Sequence, residues 1–179
     1  MSEKEKTIAG EKTAMGILFT LSLAHFSNDL FQSVVPALYP VFEEKLAISL
    51  AQVGLIALVY QIFSSIFQPL VGMYFDKRPR PYYLMVGIFL VLVGLAGLAY
   101  AKSMYVILFS VSFMGMGSSI IHPEASRLTH LASGGKHGLA QAIFQVGGNL
   151  GGSLGPLLAA LIITPFGQSY SIILSFLAF

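Results

Sequence analysis

The stretch Gly16–Pro40, GILFTLSLAHFSNDLFQSVVPALYP, decides the fold. It is long enough to cross a bilayer as a helix, yet it carries His25, Asn28, Asp29 and Gln32. These spacings place the four polar groups on one helix face. An ionised Asp near the centre of a spanning helix costs about 3 kcal/mol, so the polar stripe must face protein or a water-filled path. The simpler alternative is that His25 and Asp29 satisfy each other inside a packed bundle.

The composition indicates a polytopic membrane protein. Hydrophobic residues make up 55% of the 179 residues and charged residues 10%, with a mean hydropathy of +0.77. A soluble domain has about 25% charged residues and could not bury this much apolar surface in one core. The absence of Cys excludes disulfides and thiol chemistry. A net charge of +2 gives no argument for a nucleic-acid partner.

The order of apolar runs predicts an all-α membrane protein with six spans. We expect a cytoplasmic tail at 1–13 and a transmembrane bundle at 14–179. The predicted spans are 14–42, 51–75, 82–101, 103–128, 138–164 and 169–179. The last run has about half the length that a crossing needs. We therefore expect the sequence to be a fragment whose last helix is cut short.

The basic residues predict a cytoplasmic N-terminus, because Lys and Arg concentrate in cytoplasmic loops. With that orientation only Lys45 and Lys102 lie outside. The predicted inside segments hold the other eight, Lys4, Lys6, Lys12, Lys77, Arg78, Arg80, Arg127 and Lys136.

A faint internal repeat links the first two spans to the fourth and fifth. Ser22-x-x-His25 recurs as Ser119-x-x-His122, and Gly54-Leu55 before Tyr60-Gln61 recurs as Gly138-Leu139 before Phe144-Gln145. The two copies would have opposite orientations. Inverted three-plus-three repeats build many secondary transporters, with the binding site near the midplane. Chance matching is the alternative.

The turn after the second span resembles a signature of the major facilitator superfamily, G-x-x-x-D-[RK]-x-G-x-[RK]. Gly72, Asp76, Lys77 and Arg80 match it, whereas Pro79 stands where the family usually has Gly. The resemblance implies that this loop latches a cytoplasmic gate. An ordinary positive-inside loop is the other interpretation.

The fifth span carries small residues at every fourth position, Gly147, Gly151 and Gly155, followed by Pro156. Such a strip lets another helix backbone approach closely. The pattern also resembles the superfamily's fifth-helix motif typical of antiporters. Tight packing alone explains the glycines equally well.

Further polar residues are candidates for substrate binding. They are Gln32 in the first span, His122, Glu124 and Arg127 in the fourth, and Gln145 and Asn149 in the fifth. Arg127 could pair with Glu124 at a solvated membrane edge, or hold Asp76 of the gate loop. No close ligand spacing supports His25, His122 and Glu124 as metal ligands, so no metal is expected.

A closer resemblance is carried by the segments Gly115–Arg127 and Ser133–Ala160, together with HFSND of the first span. These resemble the fosmidomycin-resistance exporters, twelve-helix members of the superfamily in the bacterial inner membrane. The resemblance implies the N-terminal half of a proton-coupled efflux transporter for a small anionic compound such as a phosphonate antibiotic. Asp29 and His25 would then couple protons, with no cofactor except the gradient. A C-terminal half, the lipid bilayer and the substrate would be the partners.

Three alternatives remain. The first is uptake of an organic anion or sugar by proton symport. The second is an intramembrane enzyme that uses His25, Asp29, His122 and Glu124. The third is a six-helix assembly subunit that transports nothing. We expect the chain not to be an enzyme.

Overall fold

The computed structural model describes residues 13–80 and 82–178. Nearly all of the predicted tail, residues 1–12, lies outside that part, so the tail stays a prediction. The described residues are helical and contain no strand, which confirms the all-α prediction. The helices are α1 Met15–Ala37, α2 Tyr39–Leu46, α3 Leu50–Lys77, α4 Tyr83–Ala99, α5 Met104–Ala132 and α6 His137–Phe166, followed by a 3-10 helix, Gln168–Ala178.

Local sequence determines where these helices begin and end. Ser49 starts α3 with a reciprocal cap, in which its hydroxyl accepts from the Gln52 amide and the Gln52 side chain accepts from the Ser49 amide. Ser103 caps α5 through Val106 N. The turn from α5 to α6 uses Gly134 and Gly135, whose φ angles of 55° and 84° suit glycine. Short turns of this kind keep successive helices antiparallel.

The helices are those of a membrane bundle. Within the described residues, α3, α5 and α6 are long and apolar enough to cross a bilayer, and α4 is a shorter apolar helix. Large apolar side chains such as Phe19, Phe89 and Phe109 are exposed on the outside of the bundle. A continuous apolar core lies inside it, around Leu30, Leu95 and Ile107.

The helix contacts follow a paired pattern. α1 packs along α6, while α5 packs along α3 and α4. In the predicted repeat, spans one and two (α1 and α3) correspond to spans four and five (α5 and α6). The contact of α1 with α6 should then recur as a contact of α5 with α3. The structure has this contact.

Glycines on one face of α6 allow its close contact with α1. A Cβ at Gly147 would overlap the backbone of Ser22, and one at Gly151 would overlap the carbonyl oxygen of Phe26. Gly155 lies in the same way against Ser33. The backbones of α1 and α6 therefore approach more closely than side chains would permit.

Candidate functional site

The site is centred on the carboxylate of Asp29, whose side chain is 24% exposed. Its Oδ2 lies 3.2 Å from Nε2 of His25, one turn earlier on α1. Its Oδ1 lies 3.6 Å from Nε2 of His122 on α5. The two imidazole rings meet edge to face, with centroids 5.0 Å apart. Two basic side chains from different helices therefore converge on one acid.

The contacts of His25 fit a proton shared with Asp29. Nδ1 of His25 lies 2.9 Å from the carbonyl oxygen of Phe144, and the two rings stack at 4.0 Å. A carbonyl only accepts, so Nδ1 carries a hydrogen. In a neutral ring Nε2 would then present a lone pair to the carboxylate. A hydrogen bond between Nε2 and Oδ2 therefore needs one more proton, on either His25 or Asp29.

Asn28 orients this cluster and was not assigned a role from the sequence. It is 3% exposed, and its amide nitrogen lies 3.1 Å from Asp29 Oδ1, 3.3 Å from Ser118 Oγ and 3.1 Å from His122 Nε2. It thereby links the acid on α1 to two residues of α5. The sequence feature that could have indicated this role is the position of Asn28 in the polar stripe of the first span.

Gly148 allows α6 to cover the pair. A Cβ at this position would lie 2.6 Å from Nε2 of His25 and 2.7 Å from Oδ2 of Asp29. No side chain larger than that of glycine fits there unless the pair moves. The fifth-span glycines thus include one that contacts the site directly.

A cavity of about 320 Å³ opens beside Asp29, between α1, α3 and α6. Asp29 and Gln32 line one wall, and Tyr60 and Gln61 of α3 line another. Tyr60 also interacts with Ser118, so α3 is joined to the cluster. Of the residues predicted to bind substrate, Gln32 lines this cavity and His122 lies at the cluster behind it.

Glu124 and Arg127 are placed elsewhere. Glu124 is buried, and its two carboxylate oxygens accept from Arg127 Nε at 3.0 Å and Nη2 at 2.7 Å. Arg127 is also attracted electrostatically to Asp76 of the predicted gate loop. The structure thus pairs Arg127 with Glu124, and Asp76 lies close enough to Arg127 for electrostatic attraction. Neither member of the pair lines the cavity beside Asp29.

Most of the other predicted residues lie on the surface of the bundle. Gln145 and Asn149 are exposed on α6 outside the cavity lining, whereas Gln141 donates to Ser126. Gly72 packs near α5, where a Cβ added to the glycine would lie 3.6 Å from Cβ of Pro123. The remaining predicted gate residues, Asp76, Lys77 and Arg80, and the helix-packing candidate Pro156 are exposed.

The same cluster has the donor types of a metal site. Ligand atoms of His25, Asp29 and His122 lie within 4.8 Å of one another, a proximity that sequence spacing did not reveal. We assign none of them as a metal ligand, because Asp29 already pairs with both imidazoles and with Asn28.

A helical membrane bundle with a partly buried carboxylate beside a cavity is typical of a secondary transporter. The chain belongs to the Major Facilitator Superfamily, whose family model matches residues 21–179. It is 47% identical over 175 residues to the Fosmidomycin resistance protein of Escherichia coli strain K12, covering 94% of this chain and 43% of that protein. It is also 47% identical over 166 residues to the Uncharacterized MFS-type transporter YfnC of Bacillus subtilis strain 168, covering 92% and 41%. The chain thus spans less than half the length of these relatives.

Proposed function

We propose that the chain is the N-terminal half of a proton-coupled exporter that exchanges protons for a small anionic compound. Membership in a superfamily of membrane transporters supports the transport role and the prediction that the chain is not an enzyme. The similarity to a fosmidomycin resistance protein supports a phosphonate antibiotic as substrate. The chain length relative to its relatives supports a second half as partner.

The pair formed by His25 and Asp29 carries this proposal. In this proposal the pair holds a proton at the edge of a cavity, and the partial exposure of the Asp29 carboxylate supports a route for that proton to water. A proton held there can be released when the surroundings of Asp29 change. The proton gradient is then the driving force, and no other cofactor is needed.

Alternating access follows if this bundle rocks against its partner around the site. Protonation must favour one facing state over the other, because a ligand shifts a conformational equilibrium only by its differential affinity. The electrostatic attraction between Asp76 of the gate loop and Arg127 of α5 can then strengthen in one state and weaken in the other. The protein would lie in the bacterial inner membrane with its N-terminus in the cytoplasm.

Flux measurements on the full-length protein test the proposal. The purified protein is reconstituted in vesicles with an internal pH dye, and fosmidomycin is added on one side. We expect drug addition to move protons in the opposite direction, and an imposed pH gradient to drive the drug uphill. Movement of drug and protons in the same direction would favour uptake by symport instead. Drug movement that does not respond to the gradient would contradict proton coupling.

A further inference from the structure

The cavity beside Asp29 has an uneven charge distribution. Among the described residues that line it, Asp29 is the sole side chain with a formal charge. The polar groups around it are neutral amides and hydroxyls, contributed by Gln32, Ser33, Tyr39, Tyr60 and Gln61. The cavity therefore differs from an anion site, which would present Lys or Arg to its ligand.

Three basic groups of this bundle, His25, His122 and Arg127, are already paired with acids. The imidazoles of His25 and His122 face Asp29, whose one negative charge balances a positive charge on either ring. The guanidinium of Arg127 is held by two hydrogen bonds to Glu124. An anionic group that entered this cavity would meet a carboxylate and find no described Lys or Arg on its lining.

Exchange transport restricts what can bind next to Asp29. In an exchanger the proton and the substrate must exclude each other, so substrate must bind better when the site has lost its proton. An anion beside Asp29 would bind better when the acid is protonated, which has the opposite sign. A hydrogen-bond donor would bind better to the ionised carboxylate, because charged acceptors make the stronger hydrogen bonds.

We propose that the substrate presents a hydroxyl or N–H donor to Asp29 and places its anionic group away from the bundle formed by this chain. This inference rests on the proposed proton exchange. The donor hydrogen-bonds to the carboxylate, and the proton shared by His25 and Asp29 leaves to the bath. Substrate recognition by this half thus depends on a neutral donor.

The geometry of Asp29 accommodates such a donor. Oδ2 faces His25, and Oδ1 faces Asn28 and His122. A carboxylate offers about four acceptor positions, and the side chain remains 24% exposed at the cavity. Gln32 and Gln61 lie on the same lining, where their amides can hydrogen-bond the remainder of a neutral polar group.

The test compares two phosphonates that differ in one atom group, a hydroxyl in the first and its methyl ether in the second. Binding to the purified full-length protein is measured in weakly buffered solution with a pH dye. We expect the hydroxyl compound to bind about tenfold more tightly, as for loss of a hydrogen bond to a charged group, and to release protons on binding. In Asp29→Asn the preference should shrink and proton release should vanish. Glu44→Gln, an exposed acid-to-amide control on α2, should keep both.

Each outcome decides between two accounts. Equal affinity of the two compounds, with working proton exchange in vesicles, would overturn this inference and leave the proposed function standing. Proton uptake on binding would overturn it as well, because it would place the anion beside Asp29. Failure of both phosphonates to bind would contradict the proposed phosphonate substrate and this inference with it.

Discussion

Nε2 of His122 lies 3.6 Å from Oδ1 of Asp29, although the two residues come from α5 and α1. His122 occupies the position in the second copy of the Ser-x-x-His motif that His25 occupies in the first. The two histidines thus approach one carboxylate from two helices. We expect a change in the protonation of Asp29 to act on the contact between α1 and α5.

Asn28 is expected to hold this contact together. Replacing it in Asn28→Ala removes the amide nitrogen that lies near Asp29, Ser118 and His122. A hydrogen bond to a charged group contributes about 1.5–3 kcal/mol, so we expect drug-driven proton flux to fall roughly tenfold or more. Flux in vesicles measures the effect, with the amount of folded protein as control. Wild-type flux in this variant would show that Asn28 does not position the acid.

The glycines of α6 give a matched pair for stability. A Cβ at Gly151 would overlap the carbonyl oxygen of Phe26, whereas one at Gly152 would meet nothing within 4 Å. We expect Gly151→Ala to destabilise the full-length protein by about 1–3 kcal/mol through overpacking. Gly152→Ala should be neutral or slightly stabilising, because alanine favours a helix over glycine. Thermal unfolding in detergent measures both, and equal melting temperatures would contradict the close α1–α6 contact.

The buried Glu124 and the partly exposed Arg127 form an ion pair that can be tested with a single and a double variant. Arg127→Met leaves the buried carboxylate of Glu124 without its two hydrogen bonds. An uncompensated buried charge costs about 3–5 kcal/mol, so this single variant should unfold at a much lower temperature. The double variant Glu124→Gln with Arg127→Met should recover most of the loss. If it is no more stable than Arg127→Met, Glu124 is solvated and not buried.

The gate loop is tested by separating binding from turnover. Asp76 is exposed and attracted to Arg127, and it lies outside the lining of the cavity. We expect Asp76→Ala to slow transport severalfold while substrate affinity stays close to that of wild type. Equilibrium binding and initial transport rates on the same preparation provide the two numbers. Lost affinity with a normal cycling rate would place Asp76 in the binding site and remove it from the gate.

Local pattern in the sequence predicted a large part of the architecture. Apolar runs between charged turns predicted the helices, and the Gly147, Gly151 and Gly155 strip predicted a close helix contact. Helical spacing placed His25 next to Asp29, one turn apart, and the structure joins them at 3.2 Å. These features depend on residues near one another in the chain, where helix geometry alone determines position.

Contacts between distant segments were beyond such reasoning. Nothing in the spacing showed that His122 would reach Asp29, or that Asn28 would bridge them, because both depend on how α1 and α5 pack. For the same reason the sequence did not determine whether Arg127 pairs with Glu124 or with Asp76. A π-helical segment at Ile62–Ile66 was also unexpected, and it lies where Gly115 of α5 approaches Phe63. Packing, more than local propensity, determined these features.

Drug-driven proton flux, measured in the Asp29→Asn variant, tests most directly the central claim that Asp29 couples protons to transport. Asn has nearly the same shape as Asp and can still hydrogen-bond to His25, but it cannot take up a proton at neutral pH. In vesicles containing the full-length protein, we predict that fosmidomycin no longer moves protons in this variant, while Glu44→Gln behaves as wild type and both variants remain folded. Drug-driven proton movement at the wild-type rate in Asp29→Asn would contradict the account.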